Sequence, residues 1–128
     1  MRTPSKAMLC SKLAIATALV VGATPAAAQS FLGTAGPGTI GATVDQSVAN
    51  QTTITVNQSQ AVINWTATGP SGGGFTTFQN AGTTATFQGA IDYAVLNRIA
   101  PTTAGDAIYM NGTINSLVSD VRGGTVYF

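Results

Sequence analysis

The 128-residue chain has no histidine, one cysteine and little charge: lysine, arginine, aspartate and glutamate together make up 7% of it. Without histidine, the side chain that most often moves protons near neutral pH and most often ligates metals is missing. The cysteine is Cys10, ahead of an apolar run, so residues 29–128 contain neither a disulfide nor a thiol nucleophile. Three of the five cations, Arg2, Lys6 and Lys12, fall in the first twelve residues. Residues 29–128 keep Arg98 and Arg122 against Asp45, Asp92, Asp106 and Asp120, a net charge of −2. No basic patch remains, which argues against nucleic acid or an anionic membrane as partner. The four aspartates are far apart in sequence and follow no metal-loop pattern. Catalysis therefore has little footing; the expectation is a protein that is not an enzyme and needs no cofactor. A 3.6-residue apolar period is also missing, which excludes amphipathic helices.

What the chain does have begins at its N-terminus. The basic stretch is followed by "LAIATALVVG" (13–22) and then by "ATPAAAQ". That order of a cationic region, a short apolar run and an A-x-A site predicts a secretory signal peptide over residues 1–28, cleaved after Ala28. The run is shorter than the roughly 20 residues needed to span a bilayer. No second apolar segment follows, so no membrane anchor is expected. The product is expected to cross the periplasm to the cell surface or the medium.

Residues 29–128 are rich in Thr, Gly, Asn, Gln, Ser, Val and Ile. Strand-like runs recur at 39–44, 52–57, 61–65, 83–87, 94–99, 107–110, 112–118 and 124–128, separated by turn signals such as "GPSGGG", "NAG" and "PTTAG". This spacing predicts an all-β domain, compatible with a sandwich or with a coiled solenoid. Two features favour the solenoid. Neutral Thr, Asn and Gln can stack as hydrogen-bonded ladders in parallel strands, where repeated Lys or Glu would repel. Weak echoes also occur, "TVDQS" (43–47) with "TVNQS" (55–59), and "TFQ" at 77–79 and 86–88. The chain stops within the strand-like "GTVYF", and the expectation is a truncated solenoid lacking its end cap.

Within "VLNRI" (95–99), strand alternation puts Val95, Asn97 and Ile99 on one face and Leu96 and Arg98 on the other. Asn97 then lies on the more apolar face and needs hydrogen-bond partners there. Arg98 is expected to reach outward toward Asp92, Asp106 or Asp120. Trp65, the only tryptophan, reads as a core plug, and so do Phe75, Phe78 and Phe87. The four N-x-S/T sites, at Asn50, Asn57, Asn64 and Asn111, read either as glycosylation acceptors or as what chance yields in an Asn- and Thr-rich chain, with chance favoured.

The order of segments carries more. "AVINWTA" precedes "FTTFQNAGTTATFQ", and "YAVLNRI", "GTINS" and "GGTVYF" follow. This succession, over roughly residues 38–128, resembles the N-terminal secretion domain of filamentous haemagglutinin-type exoproteins, the passengers of two-partner secretion. The family's N-P-N-L-type motif is absent, and its N-P-N-G-I-type motif would fall after "VYF". The resemblance implies a right-handed parallel β-helix with short capping strands over residues 29–128. It implies recognition by the periplasmic domains of an outer-membrane transporter, and a full-length adhesin or haemagglutinin that meets a host-cell or matrix receptor. On this reading Asn64, Trp65, Asn97 and Arg98 are the residues of a transporter-recognition or structural motif. Two other readings fit the same composition: a structural surface-fibre or matrix subunit, and the N-terminal part of a carbohydrate-active β-helix protein.

Overall fold

The computed structural model describes residues 29–128; the segment read as a signal peptide lies outside them. Twelve strands and no helix occupy the described residues. In chain order they are β1 (Gly33–Ala35), β2 (Ala42–Asp45), β3 (Gln51–Val56), β4 (Gln60–Ala67), β5 (Ser71–Gly72), β6 (Phe75–Gln79), β7 (Thr84–Gly89), β8 (Ala94–Ala100), β9 (Ala107–Met110), β10 (Thr113–Val118), β11 (Val121–Arg122) and β12 (Thr125–Tyr127). They form three mixed sheets, with strand orders β11-β10-β7-β3-β2, β12-β8-β4-β1 and β9-β6-β5. The all-β class follows from the composition, since Thr, Val and Ile fill strands while Gly and Asn interrupt them.

The interior pairings are parallel and the added edge strands are antiparallel. β3, β7 and β10 run parallel, as do β4, β8 and β12, and β6 with β9. Antiparallel β2, β1 and β5 lie on β3, β4 and β6, and antiparallel β11 lies on β10. From β3 onward the parallel strands visit the five-, four- and three-stranded sheets in turn, then begin again. Gln51 pairs with Thr84, 33 residues on, and Thr84 with Thr113, 29 residues on. The short sequence echoes do not mark this spacing. Thr43 and Thr55 face each other in the antiparallel β2–β3 pair, and the two "TFQ" triplets sit in different sheets.

Alternation sorts each strand. On β3 and β7 the inward residues are Thr52, Ile54 and Val56, stacked on Ala85, Phe87 and Gly89. On β4 they are Ala61, Ile63, Trp65 and Ala67. The outward side of the five-stranded sheet carries the neutral ladders expected from composition: Thr53, Thr86 and Asn115 in one row, and Gln51, Thr84 and Thr113 in another. In the row between Thr55 and Gln88 the amide donates to the hydroxyl at 3.4 Å. Phe31, fully buried, packs on the inward rings of β4 and β6; it stacks on Phe78 at 4.8 Å between ring centroids and meets Trp65 edge-on at 5.4 Å. Burying such a ring contributes about 1.5–3 kcal/mol relative to exposure.

Beside this apolar core runs a polar seam. The Gln79 amide donates to Ser30 at 2.9 Å, Ser30 donates to Thr83 at 3.2 Å, and Thr83 donates to the Asn80 carbonyl at 2.8 Å. Gln79 Nε2 also donates to the Thr113 carbonyl, which fixes the amide's orientation because a carbonyl only accepts. One expected core residue lies outside: Phe75 is 52% exposed. As the first residue of β6 it alternates with inward Thr76 and points away from the core, whereas Phe78 and Phe87 are fully buried.

Candidate functional site

The four residues singled out in the sequence come from β4 and β8, and the parallel register brings them together. Ile63 lies opposite Asn97, and Asn64 opposite Arg98. Alternation then makes two pairs on two faces of one sheet. Trp65 and Asn97 point inward and are buried at 2% exposure each. Arg98 is exposed and Asn64 half-buried, side by side on the outer face.

The inward pair is a closed polar unit within the core. Trp65 Nε1 donates to Asn97 Oδ1 at 2.8 Å, and Asn97 Nδ2 donates to the Tyr127 carbonyl at 3.0 Å. Chemistry leaves no freedom in the assignment. An indole N–H only donates and a carbonyl only accepts, so the amide has one orientation that satisfies both. The asparagine that the alternation places on the apolar face thus links three successive strands of the four-stranded sheet, β4, β8 and β12. Losing it would leave a buried indole N–H unpaired, at about 1–3 kcal/mol. Below Asn97 lies a cleft of about 320 Å³, lined by Asn97, Ile99, Ile108, Met110 and Phe128.

The outward pair has a different setting. Asn64 Nδ2 donates to the Pro37 carbonyl at 3.2 Å, and its backbone N–H donates to Thr39 Oγ1 at 3.2 Å. The loop before β2 is thereby tied down onto β4. Gly38 is favoured there by its φ of +85°, and a Cβ, 2.6 Å from Asn64 Nδ2, would push that amide off the Pro37 carbonyl. Sequence reasoning found Asn64 but missed its partners Pro37 and Thr39, since nothing in "GPGT" signals which distant strand it will meet.

Arg98 differs from the expectation. Of the aspartates expected as its partners, Asp92 and Asp120 are exposed, and Asp106 accepts hydrogen bonds from the Ser71 and Thr76 hydroxyls instead. Hydroxyls carried by neighbouring strands reach this carboxylate with less loss of side-chain freedom than a long arginine would. Of the N-x-S/T asparagines, Asn50 holds a turn at φ 61°, and Asn57 and Asn111 are exposed.

Among the described residues no three His, Cys, Asp or Glu side chains gather in a way that could hold a metal. The chain matches no family model, no curated protein and no solved structure.

Proposed function

We propose that this chain is an exported exoprotein module of the two-partner-secretion type, and that residues 29–128 wind as a right-handed parallel β-helix. The observation that carries the proposal is the meeting of Trp65 and Asn97. The two sequence motifs behind the family resemblance, V-I-N-W and V-L-N-R-I, lie in adjacent parallel strands in register and share a buried 2.8 Å hydrogen bond. The cyclic order in which the chain visits the three sheets supports the winding, and parallel crossovers are right-handed in about 98% of cases.

The mechanism is strand addition. A weakly charged, Thr-rich chain held unfolded in the periplasm pairs its backbone with a free sheet edge of the transporter's periplasmic domains. Outside the cell the first turn folds over Phe31 and Trp65, and each completed turn offers its parallel edge to the next. The full protein acts at the surface, as an adhesin for a host-cell or matrix receptor.

The test is co-expression in a Gram-negative host with a panel of outer-membrane two-partner transporters. Export with at least one transporter, and an N-terminus at or near Gln29 by mass spectrometry, is expected. Retention in the periplasm with every transporter, together with no binding of the unfolded chain to their periplasmic domains, would overturn the reading.

A further inference from the structure

The outer face of the three-stranded sheet carries a second feature, remote from Trp65 and Asn97 in role and independent of the secretion reading. A groove of about 560 Å³ is lined by Pro70, Ser71, Gly72, Phe75, Thr77 and Tyr109. Phe75 is 52% exposed and Tyr109 48%. They belong to neighbouring parallel strands, with Phe75 opposite Ala107 and Tyr109 opposite Thr77, so the two rings are diagonal neighbours on one face.

The wall of the groove is the β5–β6 hairpin. Its two-residue turn, Gly73–Gly74, has φ values of 63° and 84°, the left-handed pair of a tight hairpin turn. Proton counting shows how the wall is held. The Asp106 carboxylate can only accept, so it takes the hydroxyl protons of Ser71 and, at 2.9 Å, of Thr76. With its own proton spent, Ser71 Oγ accepts from Thr103 Oγ1 at 2.8 Å. Thr76 Oγ1 accepts the Thr102 N–H at 3.1 Å, and the Thr102 hydroxyl donates to the Gly69 carbonyl at 2.8 Å. Two half-exposed aromatic rings therefore stand beside a wall fastened from behind.

Gly72 is the independent observation. Its φ is not positive, and a Cβ there would meet nothing within 4 Å. Neither turn geometry nor packing requires glycine at this strand position, where it costs about 0.5–1 kcal/mol relative to alanine. What its missing side chain leaves is an open rim over the rings.

We propose that this groove binds a neutral glycan chain, with the C–H face of a sugar ring stacked on Phe75 and Tyr109 and its hydroxyls bonded to Tyr109 Oη, Thr77 and the Gly72 backbone. The lining has no charged side chain, which disfavours an ionic ligand. An apolar small molecule needs a site that encloses 70–90% of its surface, roughly, and this one lies on the outside of a sheet. A peptide strand would add at a free sheet edge, and the floor residues Phe75 and Thr77 lie on β6, which is paired on both sides; the sheet's free edges, on β5 and β9, lie to either side of it. A pyranose ring has one apolar face and a rim of hydroxyls, so it can cover the two rings while its other face stays in water.

The experiment is a nuclear magnetic resonance titration of the 128-residue chain with cellohexaose, xylohexaose and mannohexaose in turn. Saturable shifts at Ser71, Gly72, Phe75, Thr77 and Tyr109 are expected with at least one of them. Phe75→Ala and Tyr109→Ala should each weaken binding about threefold to tenfold, the effect of losing one ring contact. Tyr109→Phe, which keeps the ring and loses only the hydroxyl bond, should weaken binding less than Tyr109→Ala does. Gly72→Val should block the groove while leaving the unfolding midpoint unchanged or raised, which separates blocking from misfolding. Tyr127→Ala, an exposed ring outside the groove, should change nothing. The proposal is overturned by no saturable shift with any of the three sugars, by shifts centred elsewhere, by binding that survives Gly72→Val, or by groove shifts produced by phosphatidylcholine vesicles and not by sugars. Failure here would leave the transporter reading standing, because that reading uses neither ring.

Discussion

In each sheet the first parallel strand and the last are built from the same residue types yet are buried to different depths. In the first, Ile54 and Ile63 are wholly buried, Trp65 is 2% exposed, and Phe31 lies over them. In the last, Ile108, Met110, Ile114, Val118 and Val126 are only partly buried against the same core. The first strands have a parallel neighbour on one side and, on the other, antiparallel β1, β2 and β5 with the Phe31 ring. The last strands have the parallel neighbour and, on the other side, only β11, two residues long. Burial in these sheets therefore depends on neighbours on both sides of a strand, more than on the hydrophobicity of any one strand.

That contrast is open to direct attack. The largest effect is expected from Trp65→Ala, which removes a fully packed ring from the aromatic cluster and leaves Asn97 Oδ1 without a donor. Urea unfolding should show a loss of about 3–5 kcal/mol. Val126→Ala, a smaller truncation on the last strand of its sheet, should cost no more than about 1 kcal/mol, since that side chain is small and already partly exposed. A loss at Val126 as large as that at Trp65 would show that the last strands are as deeply buried as the first.

Asn97→Ala should fall between them, at about 1–3 kcal/mol, because it strands the Trp65 N–H and the Tyr127 carbonyl. The double variant Trp65→Phe with Asn97→Ala should lose less than the two single changes added together, since each already breaks the same hydrogen bond. Strict additivity would mean that the pair does not act as a unit.

Arg98→Ala should move stability by no more than about 0.5 kcal/mol, as expected for an exposed side chain. If transporter binding nevertheless falls while the unfolding midpoint stays, Arg98 reads the transporter. If neither changes, it is a solvated residue, and the work of "VLNRI" is done by Asn97.

The smallest effect concerns β2, the antiparallel strand that covers the outer edge of β3. Asp45 ends β2, and its carboxylate accepts from the Ser47 hydroxyl at 2.6 Å and the Ser47 N–H at 2.9 Å. The hydroxyl first, then the backbone bond, hold its pKa below the ordinary aspartate value. A lowered folded-state pKa contributes stability that is present above the unfolded value and lost as pH falls through the folded one. The gain is slight because the group is fully exposed. Ser47→Ala should raise the Asp45 pKa measured by carboxyl-carbon titration; an unchanged value would remove the hydroxyl from the account.

Much of this could be read along the chain, and the reason is alternation. Period two places Val95 and Asn97 inward and Leu96 and Arg98 outward whatever the neighbouring strands are. The buried Trp65 follows from the same count along "QAVINWTA". The runs at 94–99 and 107–110 also became strands at nearly those bounds. Three short edge strands escaped notice. β1 and β11 are too brief to show a period, and β5 lies within "GPSGGG", whose glycines read as a turn until β6 supplies a partner. Phe75 misled because an aromatic residue in an apolar-looking segment says nothing about which face its strand turns inward.

The amino-acid order by itself determined the all-β class, the inward and outward sets of each strand, and the need of Asn97 for polar partners, because those depend only on local geometry and on burial of polar groups. Only the tertiary structure decided the register that sets Asn64 beside Arg98, the Tyr127 carbonyl as second partner of Asn97, and the Ser71 and Thr76 hydroxyls as partners of Asp106. Those choices join residues about 30 or more positions apart, and a chain with no strong internal repeat carries no local signal of which distant strand will pair with which.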